Sequence, residues 1–287
     1  MSGSAHVGVQ KKGNSQLSQD WSRRGFICGA LASVVVGAEA FRIGRDEQAG
    51  TQLIASGSNP NAGLKAEPHM GRKAERLAAQ PNAVFRVETS QPLVALTFDD
   101  GPDPLYTPKV LDLLDHYGAK ATFFAIGTNA LAYPELISRI VESGHVVANH
   151  THSHLSLDRL SPEEITKEIN DGKRDLLEAG APESNLFRPP RGKTCKAVGV
   201  ISDLYGYQTI FWDVVVDSWL KRYEAREAVD QITARVMPGS IILAHDGGHT
   251  PGRVVDRSDT IAALSPMLEK LTDLGLTSVT LPNLLAL

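Results

Sequence analysis

The sequence predicts an α/β fold in which helices cover a sheet of parallel strands, either a doubly wound sheet or a β/α barrel. Three observations predict it. Apolar runs of strand length alternate with helix-period segments over residues 92–287. Polar and charged side chains follow directly after several of these runs. The 287 residues are 42% hydrophobic, which is enough for one sizeable core.

The elements are predicted from the period of the apolar residues. The predicted strands, in chain order, are 93–98, 121–126, 145–150, 208–216, 240–246 and 277–281. The predicted helices are 107–118, 133–144, 161–180, 227–237 and 258–275. The start at Ser161 is well marked, because Pro162 suits the first helical position and Glu164 completes a capping box. In either architecture the chemistry is expected where the strands end.

Residues 1–40 predict an export signal. Arg23 and Arg24 precede an apolar run at 27–37, which is shorter than the roughly 20 residues of a membrane span. A small-x-small pattern ending at Ala40 follows and suits a signal peptidase. The segment resembles a twin-arginine signal peptide cleaved after Ala40; the alternative is an uncleaved N-terminal helix or membrane anchor. We therefore expect a periplasmic or extracellular protein that meets the membrane only through this signal.

The rest of the chain divides into an extension and one domain. Residues 41–91 are rich in Gly, Ala, Asn, Ser and Gln without a sustained period, which predicts a linker or loosely ordered extension. Residues 92–287 form the predicted catalytic domain. The formal net charge of −4 gives no electrostatic footprint for nucleic acid, so we expect no such partner. The cysteines, Cys28 and Cys195, lack metal-knuckle spacing, so any metal must be held by His and carboxylates.

Two adjacent carboxylates end the first predicted strand. Asp99 and Asp100 follow an apolar run and precede Gly101 and Pro102, which stop the strand. Taken alone, this sequence also makes a good turn, because Asp accepts backbone N–H bonds and Gly supplies unusual backbone angles. The pair gains meaning from the motifs that follow.

A histidine-rich loop follows the strand at 145–150. His150 and His154 are four residues apart, so one helical turn would aim both imidazoles at one ion. In an extended loop, His152 would join them on one face. A polar surface loop that happens to be His-rich is the remaining alternative.

Further polar residues end the later strands. Arg188 and Arg191 lie in a Pro-rich turn, and an arginine there can hold a general-base carboxylate ionised and oriented. His245 ends a strand, from which it could donate a proton. Asp213 and Asp217 flank a third strand end. A rigid solvated loop and a hydrogen-bonded strand-end histidine are the plain alternatives for the first two groups.

Together these stretches resemble the polysaccharide deacetylase (NodB-homology) family, the metal-dependent carbohydrate esterases of family four. The resemblance covers roughly 92–287 and rests on TFDDGP and HTHSH in this order, with RPPRG, IILAHD and TSVTLPNLL fitting later motifs. It implies a distorted β/α barrel, which agrees with the alternation. It also implies a hydrolase that uses a divalent metal, usually zinc.

The resemblance assigns a role to each matching residue. Asp99 would be the catalytic base, and Asp100, His150 and His154 would bind the metal. His152 matches no ligand position.

The later motifs supply the groups around that centre. Arg188 would orient Asp99, the backbone N–H near Arg191 would help bind the oxyanion, and His245 would be the general acid.

The fourth motif departs from the family. The family commonly has W-x-x-D-x-x-D-W, whereas this chain reads WDVVVDSW, with Val215 where the first Asp is expected. Asp213 or Asp217 would then tune His245. Arg191 also replaces an aromatic residue, which would alter the substrate groove.

These features predict hydrolysis of N-acetyl groups from an N-acetylglucosamine-containing polysaccharide, with peptidoglycan first because an exported enzyme meets it first. O-deacetylation of an acetylated polysaccharide such as xylan would use the same metal centre. A non-catalytic carbohydrate-binding barrel is the alternative from another class, since fold never fixes function. A phosphate-binding enzyme is disfavoured, because the sequence has no G-x-x-x-x-G-K-[ST] loop.

Overall fold

The computed structural model describes residues 80, 82–249 and 255–287. The predicted signal at 1–40 and most of the extension at 41–91 lie outside these residues. Among the described helices, none has the length and apolar character needed to cross a bilayer.

A parallel sheet, curled into a half-barrel, forms the centre of the fold. The strands are β1 Leu93–Asp99, β2 Ala121–Ala125, β3 Val146–Asn149, β4 Leu186–Phe187, β5 Gln208–Thr209, β6 Val214–Val215, β7 Ile241–His245 and β8 Thr277–Ser278. Their spatial order is β5-β4-β3-β2-β1-β7-β6, and β8 pairs with the start of β1. Because β1 is central and every pair is parallel, the strand ends around β1 meet at one edge.

Helices cover the outside of the half-barrel. They are α1 Thr107–His116, α2 Gly127–Ala132, α3 Pro134–Glu142, α4 Pro162–Glu178, α5 Lys196–Leu204, α6 Asp217–Leu220, α7 Ala225–Thr233, α8 Ser258–Asp273 and α9 Leu281–Leu285. The predicted capping box of α4 is confirmed, since Ser161 Oγ accepts from Glu164 N and Glu164 Oε2 accepts from Ser161 N. Helices α2, α5, α6 and α9 were not predicted, because short apolar patterns do not separate helix from strand.

The predicted strand at 208–216 is wrong as one element. It forms β5 and β6, which lie at opposite edges of the sheet. Ile210 and Phe211, between the two strands, are also fully buried, so the apolar pattern does not mark where β5 ends. Arg188 donates to the backbone carbonyls of both residues, so these two carbonyls do not take part in strand pairing.

Packed structure begins before residue 92. Val84 bridges to Ile210, and the buried Phe85 stacks on Phe211 with 4.8 Å between ring centroids. Val87 N donates to Gly239 O. The described part of the extension, residue 80 and residues 82–91, therefore contributes to the domain.

Candidate active site

The end of β1 places the two carboxylates at the centre of the strand-end edge. Register pairs Asp99 with Phe124 of β2 on one side and with His245 of β7 on the other. Asp99 is still in the strand, whereas Asp100 has φ of 74° and leaves it. The change of direction lets the adjacent carboxylates face different partners.

A buried arginine holds Asp99. Arg188 is fully buried, and its Nη1 donates to Asp99 Oδ1 at 2.6 Å and to Thr97 Oγ1 at 2.9 Å. Its Nε and Nη2 donate to the carbonyls of Ile210 and Phe211, as described above. Asp99 Oδ1 is taken up by Arg188, so Asp99 Oδ2 is left facing the site.

Asp100, His150 and His154 form a compact buried group. Their ligand atoms lie within 4.8 Å of one another. Asp100 Oδ1 is 3.2 Å from His154 Nε2 and 3.5 Å from His150 Nε2. Asp99 Oδ2 lies 3.7 Å from His150 Nε2, so the predicted base borders the group. The loop that carries the histidines is neither a helical turn nor an extended strand, since Thr151 and His154 have positive φ.

The group fits a divalent cation. His150 Nδ1 lies 2.7 Å from Arg188 O, a bond in which the ring nitrogen must donate, which leaves Nε2 as the ring atom that can bind a cation. Asp100 Oδ1 has no hydrogen-bond partner despite its burial. Burial lowers the pKa of His154 to about 4, which keeps this imidazole neutral, as a ligand must be. Burial alone would raise the pKa of Asp100, but its contacts with His150, His154 and His249 hold that pKa well below its usual range.

His245 is paired with Asp217 and not with Asp213. Its Nδ1 lies 2.8 Å from Asp217 Oδ2, and its Nε2 lies 4.0 Å from Asp100 Oδ2. Burial would lower the pKa of His245, but the charge and hydrogen bond of Asp217 outweigh it and raise that pKa to about 9. Asp213 instead accepts from Ser240 Oγ and Ile241 N. Val215, at the position where the family has its Asp, lines the cavity.

An open cavity of about 470 Å³ brings these groups together. Its lining includes Asp99, Asp100, His150, His154, Arg191, Asp217 and His245. Arg191 has φ of 58° in the Pro190–Gly192 turn, and its Nη1 donates to His154 O at 3.1 Å. Arg188 is not in the lining and acts on the site through its side chain on Asp99 and its carbonyl on His150; Asp213 is not in the lining either.

Two further residues reach the site without a prediction from the sequence. His249 Nδ1 is 3.2 Å from Asp100 Oδ2, and its ring stacks on His154 with 3.9 Å between centroids. Arg257 donates to Gly247 O and contacts both Asp217 and Asp100 Oδ2. The His245-x-x-x-His249 spacing could have indicated the first, whereas Arg257 precedes α8 and carries no local signal.

We expect Arg188→Met to destabilise the fold as well as the site. The change leaves Asp99 buried without its cation and leaves two carbonyls without their donor, at a cost of about 3–5 kcal/mol in unfolding free energy. Urea unfolding measures it. The matched control is Arg139→Met, whose partly exposed ion pair with Asp112 should contribute about 1 kcal/mol or less. Equal losses in both variants would contradict the assigned role of Arg188.

The fold and the site indicate a class of protein: a hydrolase in which an Asp-His-His group that could hold a divalent cation adjoins an arginine-held carboxylate. Known proteins make the assignment specific. The family model described as polysaccharide deacetylase matches residues 86–210. The chain belongs to the polysaccharide deacetylase family, and its relatives named deacetylases are hydrolases that act on amide bonds. The predicted barrel is thereby confirmed as that of the family.

Individual relatives carry more detailed names. A peptidoglycan-N-acetylglucosamine deacetylase of Bacillus cereus is 41% identical over 70% of this chain and 92% of its own length. A chitooligosaccharide deacetylase of Sinorhizobium fredii is 38% identical over 70% of this chain and 95% of its own length. The crystal structure of a peptidoglycan N-acetylglucosamine deacetylase superposes with a TM-score of 0.64 at 32% identity, covering 71% of this chain and 92% of that one.

Proposed function

We propose that the protein hydrolyses N-acetyl groups of N-acetylglucosamine-containing polysaccharide, with peptidoglycan as the first candidate and chitin-like oligomers as the second. One observation carries the proposal. The carboxylate of Asp99, held by Arg188, borders the Asp100-His150-His154 group, and His245 stands on the neighbouring strand. The names of the relatives support the substrate class.

The residues divide the work of hydrolysis. Asp100, His150 and His154 would hold a divalent cation, which we propose to be zinc because two imidazoles and a carboxylate suit it. When bound, the cation polarises the acetyl carbonyl and makes water easier to deprotonate. Asp99 accepts the proton of the attacking water, since Arg188 keeps its charge in place. His245, protonated through Asp217, gives a proton to the departing amine, so that acetate and a free amine are released.

The backbone N–H near Arg191 is proposed to stabilise the negative oxygen of the tetrahedral intermediate. This proposal is supported by the position of Arg191 in the cavity lining, in the Pro190–Gly192 turn, where Arg191 has a positive φ. The arginine side chain meanwhile braces the carbonyl of His154. The two roles involve different atoms of one residue.

We expect removal of the metal to abolish hydrolysis. Purified protein is assayed for acetate released from peptidoglycan and from N-acetylglucosamine oligomers, as prepared, after chelator treatment, and after zinc is added back. Chelation should reduce release to background, and zinc should restore it, because the ligand atoms of Asp100, His150 and His154 lie close enough together to hold one cation. Chelator-resistant release would contradict the metal assignment.

The same assay separates the remaining functions. Release from acetylated xylan alone would indicate an O-acetyl esterase. Release from none of these substrates by folded, zinc-loaded protein would favour a non-catalytic carbohydrate-binding barrel.

We also propose export by the twin-arginine route. Its support is the Arg23-Arg24 pair with the apolar run and the small-x-small pattern that ends at Ala40. Mature protein recovered outside the cytoplasm should begin at Phe41. A cytoplasmic protein that retains its first residues would contradict this proposal.

A further inference from the structure

His152, the middle histidine of HTHSH, points away from the cation group. Its Nδ1 lies 2.5 Å from Asp175 Oδ2, on helix α4. Asp175 is fully buried, and its Oδ1 accepts from Arg174 Nη2 at 2.9 Å. The side chain that matches no ligand position therefore ties the ligand loop, residues 150–154, to α4.

One face of α4 contacts this ligand loop at three points. Glu168, Gly172 and Asp175 are spaced by four and three residues and so share a face of the helix. Glu168 accepts from Ser153 N at 3.0 Å and from Ser153 Oγ at 2.8 Å. The backbone carbonyl of Glu168 accepts from His152 N at 2.9 Å. The loop is thus held through both its backbone and its side chains.

Gly172 allows the helix and the loop to approach closely. A Cβ at this position would lie 2.6 Å from Asn149 Oδ1 and 2.6 Å from the carbonyl carbon of Thr151. Both of those atoms belong to the segment that delivers His150. The face of α4 is therefore shaped to the ligand loop as well as bonded to it.

The ligand loop has a backbone that needs such support. Thr151 has φ of 70° and His154 has φ of 60°, in the left-handed region that residues with a Cβ rarely occupy. Conformations of this kind persist only where the surroundings over-determine them. His154 is itself a ligand, so relaxation of its φ would carry the imidazole away from Asp100.

We propose that Glu168 and Asp175 are positioning residues that hold the ligand loop in its strained, cation-binding shape. The inference rests on the cation site of the proposed function, but it concerns the affinity of that site and not the reaction. Outer contacts of this kind typically change metal affinity by about 10- to 100-fold.

The test measures zinc affinity of the metal-free full-length protein by competition with a chromophoric chelator. We expect Glu168→Ala and Asp175→Ala to weaken zinc binding about tenfold or more. Glu168→Gln, which keeps one acceptor oxygen for Ser153, should lose less than Glu168→Ala. Gly172→Ala should also weaken binding although it removes no polar group, because its Cβ displaces the loop.

Glu178→Gln is the matched control, because it neutralises an exposed carboxylate of the same helix and should leave zinc affinity unchanged. Circular dichroism and thermal unfolding of the metal-free proteins accompany each titration. Folded variants that bind zinc as tightly as the parent would overturn the proposal, as would lower unfolding temperatures without a change in affinity. If Asp175→Ala does not fold, the Glu168 pair decides alone. A parent that binds zinc but releases no acetate would refute the proposed function and leave this comparison intact.

Discussion

Asp99→Asn is expected to lower kcat for acetate release by about 10²- to 10⁴-fold while zinc remains bound. An amide oxygen can still accept the bond from Arg188, but it is too weakly basic to take a proton from water. The ligand atoms of Asp100, His150 and His154 are untouched by the change. The loss should therefore fall on the chemical step and not on the cation.

Two measurements separate these effects. Acetate release gives kcat, and chelator competition gives the zinc affinity of the same preparation. The paired result expected is a large loss of kcat with an affinity within a few-fold of the parent. Retention of most of the activity would show that Asp99 is not the base. Asp217, the other carboxylate of the cavity lining besides Asp100, would then be the next candidate to test.

The strand-end carboxylates and the paired histidines could be predicted from sequence because their order along the chain carries the information. A buried strand that runs into Asp-Asp-Gly-Pro places Asp99 and Asp100 at the carboxyl end of that strand, independently of how the other strands are arranged. Spacing of four residues likewise keeps His150 and His154 near each other. The sequence spacing could not show the shape of their loop. The positive φ values of Thr151 and His154 depend on contacts from α4, which follows later in the chain.

The partner of His245 was beyond prediction for a similar reason. Whether Asp213 or Asp217 reaches it depends on where the predicted strand at 208–216 breaks into two strands. At this break, Arg188 donates to two backbone carbonyls from a distant part of the chain. Long-range hydrogen bonds to the backbone leave no period in the sequence. Arg257 was missed for the same reason, since its side chain makes contacts across the site and not along the neighbouring helix α8.

Asp217→Asn is expected to lower kcat/KM by about 10²-fold or more and to move the alkaline limb of its pH profile to lower pH. Burial alone would lower the pKa of His245, but the charge and the hydrogen bond of Asp217 outweigh burial, and the pKa is raised to about 9. A general acid must be protonated, so activity falls as pH rises through this pKa. Without the carboxylate, burial is opposed less strongly, the pKa falls, and activity is lost at a lower pH.

Asp213→Asn is the matched control, because Asp213 contacts Ser240 and Ile241 and not His245. Its alkaline limb should stay where the parent has it, and a shift in this variant in place of Asp217→Asn would reverse the assignment.

Adding Val215→Asp to Asp217→Asn restores a carboxylate at the family's position. Val215 pairs with Leu243 of β7, two residues before His245. Partial return of the limb toward higher pH would show that the chain has moved one function between two positions. Asp217 also contacts Arg257 and Thr260, and an aspartate on β6 would have to make these contacts as well. No return of the limb would therefore indicate that these contacts contribute to the role of Asp217.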